Sequence, residues 1–366
     1  MIIENDVKLD FSDVLLKPKR STLVSRKDFV LSRVFKTKWS QRTFECVPII
    51  AANMATGTFK MANVFSKYNM LVAINKFYSI NEWIAQDATT IANCIYTIGM
   101  SDLEYERYLQ VLDVLFALGK IKSKQDLHLC IDIANGYTKR YSDFVKKIRD
   151  ANPSTVIIAG NVCTAELVQE LILAGADFVK VGIGPGSACT TRQKTGVGYP
   201  QLSACIECGD AAHGLDAGIV LDGGMRSPGD IAKAFAANAD FVMLGGMLSG
   251  TDETDGDIEE RIVQTNIIKR SHDGQIIGLQ EEIQKHKIWY GMSSEYAQQK
   301  YMMGMKDYRT SEGRREEVPY VGPVQPIVDD ILGGLRSAGT YIGATGIKQF
   351  GKCATFLRVM RQHDRF

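Results

Sequence analysis

Residues 177–192 read Asp177-Phe-Val-Lys180-Val-Gly182-Ile-Gly184-Pro-Gly186-Ser-Ala-Cys189-Thr-Thr-Arg192. A short β-branched run, Asp177–Gly182, passes directly into a glycine-rich loop that presents one cysteine. The same pattern recurs on either side: Val156–Gly160 runs into Asn161, Gly218–Asp222 into Gly223-Gly224, and Asp240–Gly245 into Gly246. Upstream lie Val47–Ala52, Met70–Ile74, Asn93–Ile98 and Leu127–Ala134, which makes eight runs. Between them come stretches with helical periodicity: Thr58–Asn69, Thr138–Asp150, Ala165–Ala174 and Pro228–Asn238. Pro228 stands where a first-turn proline is tolerated, and Gly175 where a helix C-terminal glycine is expected. Alternating strands and helices imply βαβ units and a parallel sheet. Several runs are apolar throughout, as burial on both faces requires. Eight units fit a closed barrel better than an open sheet, so the expected fold is an α/β (β/α)8 TIM barrel with the glycine-ended strand termini on one rim.

Two stretches fall outside the repeat. Residues 1–45 are an N-terminal extension expected to hold a short hairpin. Residues 250–323 form a long, charged insertion before a helix expected over Val324–Arg336, and a loop of that size is read as a functional lid or a disordered excursion. The whole chain, 1–366, is expected to be a single barrel domain. Lys and Arg total 43 against 42 Asp and Glu, a net charge of +1, which supports neither nucleic acid nor an anionic membrane as a partner. Hydrophobic residues are 45% and charged residues 23%, the globular average. No apolar run approaches ~18 residues, and neither end reads as a secretory or lipidation signal. The eight cysteines are therefore expected to be free thiols in the cytosol. The Cys205/Cys208 pair lies in a helical pattern without a second ligand pair, so zinc is not indicated.

Chemistry concentrates on the expected rim. Gly182, Gly184 and Gly186 permit positive φ and close backbone approach, and such a loop can aim carbonyls at a cation or N–H groups at an anion. Arg192, three residues beyond Cys189, could favour its thiolate. The spacing is not Gly-x-Gly-x-x-Gly, so no Rossmann site is expected. Asp222 suits two sugar hydroxyls, while Gly223, Gly224, Gly245 and Gly246 leave room for a phosphate at the loops after strands seven and eight. Tyr290-Gly-Met-Ser-Ser-Glu295 and Tyr308-Arg-Thr-Ser-Glu-Gly313 add small donors, an arginine and acids.

These residues carry a resemblance. The GIGPGSACTTR loop at 182–192, with Leu9–Arg20, Lys194–Ser203, Glu207–Gly214, Tyr290–Glu295 and Asp330–Ser337, closely resembles the IMP dehydrogenase/GMP reductase family, on its reductase branch. The match spans nearly the whole chain and is weakest at 80–125. It implies NADPH-dependent conversion of GMP to IMP and ammonia in purine nucleotide interconversion. Cys189 would attack purine C2 and form a thioimidate, with Thr191 and Glu295 as the proton relay. Asp222 would hold the ribose. Gly223, Gly224, Gly245 and Gly246 would bind the phosphate, and Gly291, Met292, Ser293, Arg309, Ser311, Glu312 and Gly313 the base. The cofactor would meet Ser25, Arg26, Lys76, Asp132, Ile133, Ala134, Ile183, Gly184, Met292, Tyr308, Arg309 and Ser337, Ala338, Gly339 and Thr340, with Arg26 and Lys76 near its 2′-phosphate. Gly184, Gly186, Cys189 and Arg192 match the family's monovalent-cation site, for K⁺. A homotetramer is implied.

The chain departs from the family in two places. Residues 251–289 are about twenty longer than the family usually has there, a length that could alter the lid or a subunit contact. Asn75-Lys76-Phe77 replaces a version bearing histidine. Two other readings compete with the reductase: an IMP dehydrogenase lacking CBS modules, and a barrel that binds purine nucleotide without turnover.

Overall fold

Eight parallel strands close on themselves in the computed structural model, which describes residues 3–270, 272–273, 275–301 and 310–360. They are β1 (Ile49–Ala51), β2 (Leu71–Ala73), β3 (Cys94–Ile98), β4 (His128–Asp132), β5 (Ile157–Val162), β6 (Phe178–Val181), β7 (Gly218–Asp222) and β8 (Phe241–Leu244). Seven lie inside the apolar runs read from the sequence, and β5 runs two residues past the end of Val156–Gly160. Every neighbour is the next in sequence, and the ring closes where Val242 pairs with Ile49 and Met243 with Ile50. The pleat sorts each strand between two cores. Ile50, Leu71, Ala73, Ile95, Cys130, Val220 and Met243 fill the barrel, whereas Ile49, Ala51, Val72, Leu129, Val179 and Leu221 meet the surrounding helices. Both sets are buried, which is why the strands read as continuously apolar.

The helices obey local rules. Thr58 caps Phe59–Phe65 by accepting from the Met61 N–H at 3.0 Å, and Ser227 caps Pro228–Ala236 with the proline in its first turn. Gly175 holds φ +116°, and a Cβ there would stand 2.4 Å from Arg149 Cγ. The helix after the insertion runs Gln325–Ile342, longer than its sequence pattern predicted. Among the described residues, no helix is long and apolar enough to cross a membrane.

The expected N-terminal hairpin pairs Arg33–Lys36 with Thr43–Cys46 and plugs the end of the barrel remote from the glycine rim. Phe35 stacks on Phe241 at 4.3 Å and meets Phe178 edge-on at 5.8 Å. Asp177 ties the plug down: it accepts from the Trp39, Ser40 and Ile157 N–H groups and pairs with Arg149 at 2.8 Å.

The insertion departs from expectation. Instead of a loop, it holds a three-stranded antiparallel sheet made of β9 (Ile258–Arg270), β10 (Ile276–Tyr290) and β11 (Arg315–Pro319), in that order, with a helix over Glu295–Tyr301. Composition concealed it because its charges are surface residues of a ribbon whose ladder bonds need no apolar run. Its base is buried: Lys287, 4% exposed, donates to the carbonyls of Thr251 and Thr254, and burial lowers its pKa.

Candidate active site

The C-terminal ends of the strands surround a cavity of about 1150 Å³. After β6 the backbone turns through Gly184 at φ +84° and presents Cys189 to this space. The thiol donates to Thr191 Oγ1 at 3.2 Å, and that hydroxyl donates to Glu312 Oε2 at 2.9 Å. Glu312 is delivered by backbone pairing. The Thr190 N–H donates to the Glu312 carbonyl at 2.8 Å, the Arg314 N–H to Ala188 at 3.0 Å, and Cys189 bridges Gly313. The acid beside the hydroxyl is thus Glu312, expected as a base contact, and not Glu295. Glu295 opens its helix, is exposed, gives its N–H to Ser311 Oγ, and accepts from Gln299 one turn on. Ser311 also stays out of the cavity lining and donates to the Gly313 carbonyl at 2.7 Å.

Arg192 does not serve the thiol. Its side chain runs past Gly184 and Gly198 to the Tyr199 carbonyl and to Asp10 at 3.6 Å.

Below the loop lies a network that sequence reasoning missed. Lys180, 3% exposed at its side chain, pairs with Asp132 from β4 at 2.5 Å and with Asp222 from β7 at 2.9 Å. Asn53 donates to Asp132 Oδ2, and Asn161 donates to Asp222 Oδ2 and to the Gly182 carbonyl. Burial disfavours the ammonium, yet the two carboxylates outweigh it and hold the Lys180 pKa above its usual value. Burial likewise opposes ionisation of Asp132, but Lys180 and Asn53 bring its pKa below the usual range. A lysine inside an otherwise apolar run was the available signal.

Asp222 Oδ2 takes both contacts, so Oδ1 remains for a ligand at the rim. Beside it Gly223 and Gly224 hold φ +83° and +85°, and Gly245 and Gly246 line the same wall. A Cβ on Gly246 would stand 2.5 Å from Ser187 Oγ, so the glycine leaves a small space next to a hydroxyl. Gly291, Met292, Ser293, Glu312 and Gly313 line the opposite side.

The expected cofactor residues divide in two. Lys76, Asp132, Ile133, Ala134, Ile183, Gly184 and Met292 line the cavity. Ser25, Arg26 and 337–340 do not; Ser25 caps the short turn 26–28, and the following Phe29 ring packs on Gly339. Lys76 is also not a spare cation. Glu104, itself fixed by the Gly99 N–H, pairs with it at 2.8 Å. The expectation that Arg26 and Lys76 share one phosphate is therefore not met within one chain. Tyr308 and Arg309 lie outside the described residues.

The helix 295–301 is latched over the cavity rim. Tyr301 stacks on Phe77 at 4.3 Å, and Tyr290, Lys300 and Tyr301 converge on Asp255. Burial opposes the Asp255 carboxylate, but these partners keep its pKa low. Cys205 and Cys208 are core thiols, and Cys205 faces the Ala234 and Ala237 carbonyls.

A closed barrel that seats a thiol, a hydroxyl and a carboxylate in one hydrogen-bonded line at its catalytic rim is an enzyme. A family model described as IMP dehydrogenase / GMP reductase domain matches residues 114–363. The chain is similar to GMP reductase 2 of Homo sapiens, 49% identical over 364 residues covering 98% of this chain and 97% of the relative. It is likewise similar to GMP reductase of Escherichia coli O81 (strain ED1a), 50% identical over 370 residues covering 100% and 99%. The chain belongs to the IMP dehydrogenase/GMP reductase family.

Proposed function

We propose that this chain reduces GMP to IMP with release of ammonia. The observation that carries the reading is the line Cys189 Sγ–Thr191 Oγ1–Glu312 Oε2 at 3.2 and 2.9 Å, set across the cavity from a carboxylate and paired glycines suited to a ribose phosphate.

The line can move a proton both ways. As Cys189 bonds to purine C2, its proton passes through the Thr191 hydroxyl to Glu312. Returned along the same path, it protonates the 2-amino group, which leaves as ammonia when the C2–N bond breaks. Cys189 then holds the ring as a thioimidate. NADPH, when bound, supplies the hydride that C2 accepts; the C2–S bond breaks and the thiolate is regenerated. Asp222 Oδ1 would accept from the ribose hydroxyls. The backbone N–H groups around Gly223, Gly224, Gly245 and Gly246, with Ser187 Oγ, would hold the phosphate. Lys180 holds both Asp222 and Asp132 in place by ion pairs and helps keep the Asp132 pKa low.

Lys76, Asp132, Ile133 and Ala134 line the same cavity as Cys189 and would face the nicotinamide riboside. The neutral carbonyls of Gly184, Gly186 and Cys189 suit a weakly held monovalent cation such as K⁺, which would stiffen the loop carrying the thiol. The second cofactor cluster, Ser25, Arg26 and 337–340, would serve a neighbouring subunit in a homotetramer. The test is direct: enzyme mixed with GMP and NADPH should consume NADPH and yield IMP and ammonia. NAD⁺ reduction with IMP alone would identify a dehydrogenase, and tight GMP binding with no turnover a binding protein.

A further inference from the structure

The proton line depends on where Thr191 points, and Thr191 opens a helix of only five residues, Thr191–Thr195. So short a helix is not held by its own hydrogen bonds, and its orientation must come from tertiary contacts. The next residue supplies them. Arg192 lies in a slot between two glycines: a Cβ on Gly184 would stand 2.5 Å from its Cγ, and one on Gly198 2.6 Å. Its guanidinium donates to the Tyr199 carbonyl and pairs with Asp10 at 3.6 Å. Gly184 begins the turn that leads to Cys189, so one side chain braces both the start and the end of the catalytic loop.

Asp10 is itself firmly placed. It comes from the N-terminal extension, yet its Oδ1 accepts from the Gln201 N–H at 2.6 Å, 191 positions away. Pro200, the N-cap of helix Gln201–His213, makes no side-chain capping bond, and the Asp10 carboxylate fills that role. The Leu9 N–H donates to Ser203 Oγ at 2.8 Å, and Lys8 pairs with Glu207 at 2.8 Å. Residues 8–10 therefore form a strap along the start of this helix. Gln201 donates from Nε2 to the carbonyls of Val181 and Asp222, at the ends of β6 and β7. The strap thus joins the barrel rim on one side and Arg192 on the other, although neither Asp10 nor Arg192 lines the cavity.

We propose that Asp10 is a positioning residue: through Arg192 it fixes the rotation of helix 191–195 and so keeps the Thr191 hydroxyl between Cys189 and Glu312. The inference rests on the reading of those three residues as a proton line, and it gives the N-terminal extension a part in the rate.

Asp10→Asn tests it, because asparagine still offers an oxygen to the Gln201 N–H but no charge to Arg192. Two rates are followed. Alkylation of Cys189 by iodoacetamide, located by peptide mapping, needs no substrate, and Cys353, the other cysteine that is not buried, is the internal reference. The second is kcat with GMP and NADPH. Asp10→Asn should slow Cys189 alkylation several-fold relative to Cys353 and lower kcat about 10-fold or more, the scale for a misplaced reacting group, with the Kd of GMP unchanged. Arg192→Met, which fills the slot without a guanidinium, should reproduce both losses. In a Thr191→Val background Asp10→Asn should change neither rate further, since the hydroxyl it positions is gone; a general structural role would cost the same factor in both backgrounds. The proposal fails if either rate stays at the wild-type value in Asp10→Asn or in Arg192→Met. It fails equally if the loss persists undiminished beside Thr191→Val, or if the Kd of GMP rises in step with the fall in kcat. A wild type that does not turn over GMP would instead overturn the proposed activity, and the alkylation cycle alone would then decide whether Asp10 acts on Cys189 through Thr191.

Discussion

Cys189 sits three residues from an arginine in sequence, yet the group it touches is a threonine hydroxyl, because Arg192 is drawn away to Asp10 and the Tyr199 carbonyl. Removing the thiol as Cys189→Ala should lower kcat by at least ~10³-fold while GMP still binds, as loss of a covalent nucleophile requires. Equilibrium binding alongside single-turnover rates would check this, and persistent turnover would end the covalent reading. The two acids can be told apart in the same way. Glu312→Gln should cost about 10²-fold or more in kcat, the usual scale for a proton-transfer group. Glu295→Gln, on an exposed helix start, should change kcat by no more than a few-fold on the same scale. The reverse ranking would move the relay to Glu295. Lys180→Met strands two carboxylates at the rim; an uncompensated buried charge costs about 3 kcal/mol at neutral pH. That loss should shrink as acid protonates Asp132, whose pKa Lys180 helps hold low, and denaturant unfolding at two pH values would show it.

At the scale of elements, the plug and the catalytic loops occupy opposite ends of the barrel, which separates stability from rate. Phe35 packs against Phe241, Phe44 and Phe178, and Phe35→Ala should destabilise the chain by about 3–5 kcal/mol with kcat unchanged. His128, at the start of β4 against Phe44, is a second probe of the same end. Burial, helped by Arg42, lowers its pKa from 6.5 to about 4. The folded chain therefore refuses a proton that the unfolded chain accepts. Stability is unaffected above pH 6.5 and falls as pH drops from there toward about 4, by on the order of 2 kcal/mol. His128→Gln should flatten that part of the pH–stability curve, and an unchanged slope would discount this histidine. The insertion belongs at this scale too. Its expected loop is a sheet because backbone ladders from β9 to β10 and from β10 to β11 stabilise segments whose charged, solvated faces carry no apolar run.

For the molecule as a whole, the division of the cofactor residues into two clusters has a consequence. If Ser25, Arg26 and 337–340 of one subunit complete the cavity of another, an enzyme lacking only the thiol and one lacking only Arg26 should complement each other. Mixed and reassembled Cys189→Ala and Arg26→Glu chains, each nearly inactive alone, should regain NADPH-dependent turnover. No recovery in verified mixed oligomers would confine the cofactor to one chain.

The eight apolar runs, the glycine-rich ends of the last four, a hairpin within 1–45, and the place of Cys189, Thr191, Asp222 and the paired glycines on one rim were legible in the sequence. They follow from local rules: a strand buried on both faces must be apolar along its length, and a backbone turning at positive φ beside a ligand selects glycine. Tertiary structure alone decided which acid meets Thr191, that Lys180 joins Asp132 to Asp222, and that Glu104 neutralises Lys76. Those contacts link side chains from segments separated by dozens to more than a hundred positions, and which charge neutralises which is set by distance in space, which periodicity and spacing do not encode.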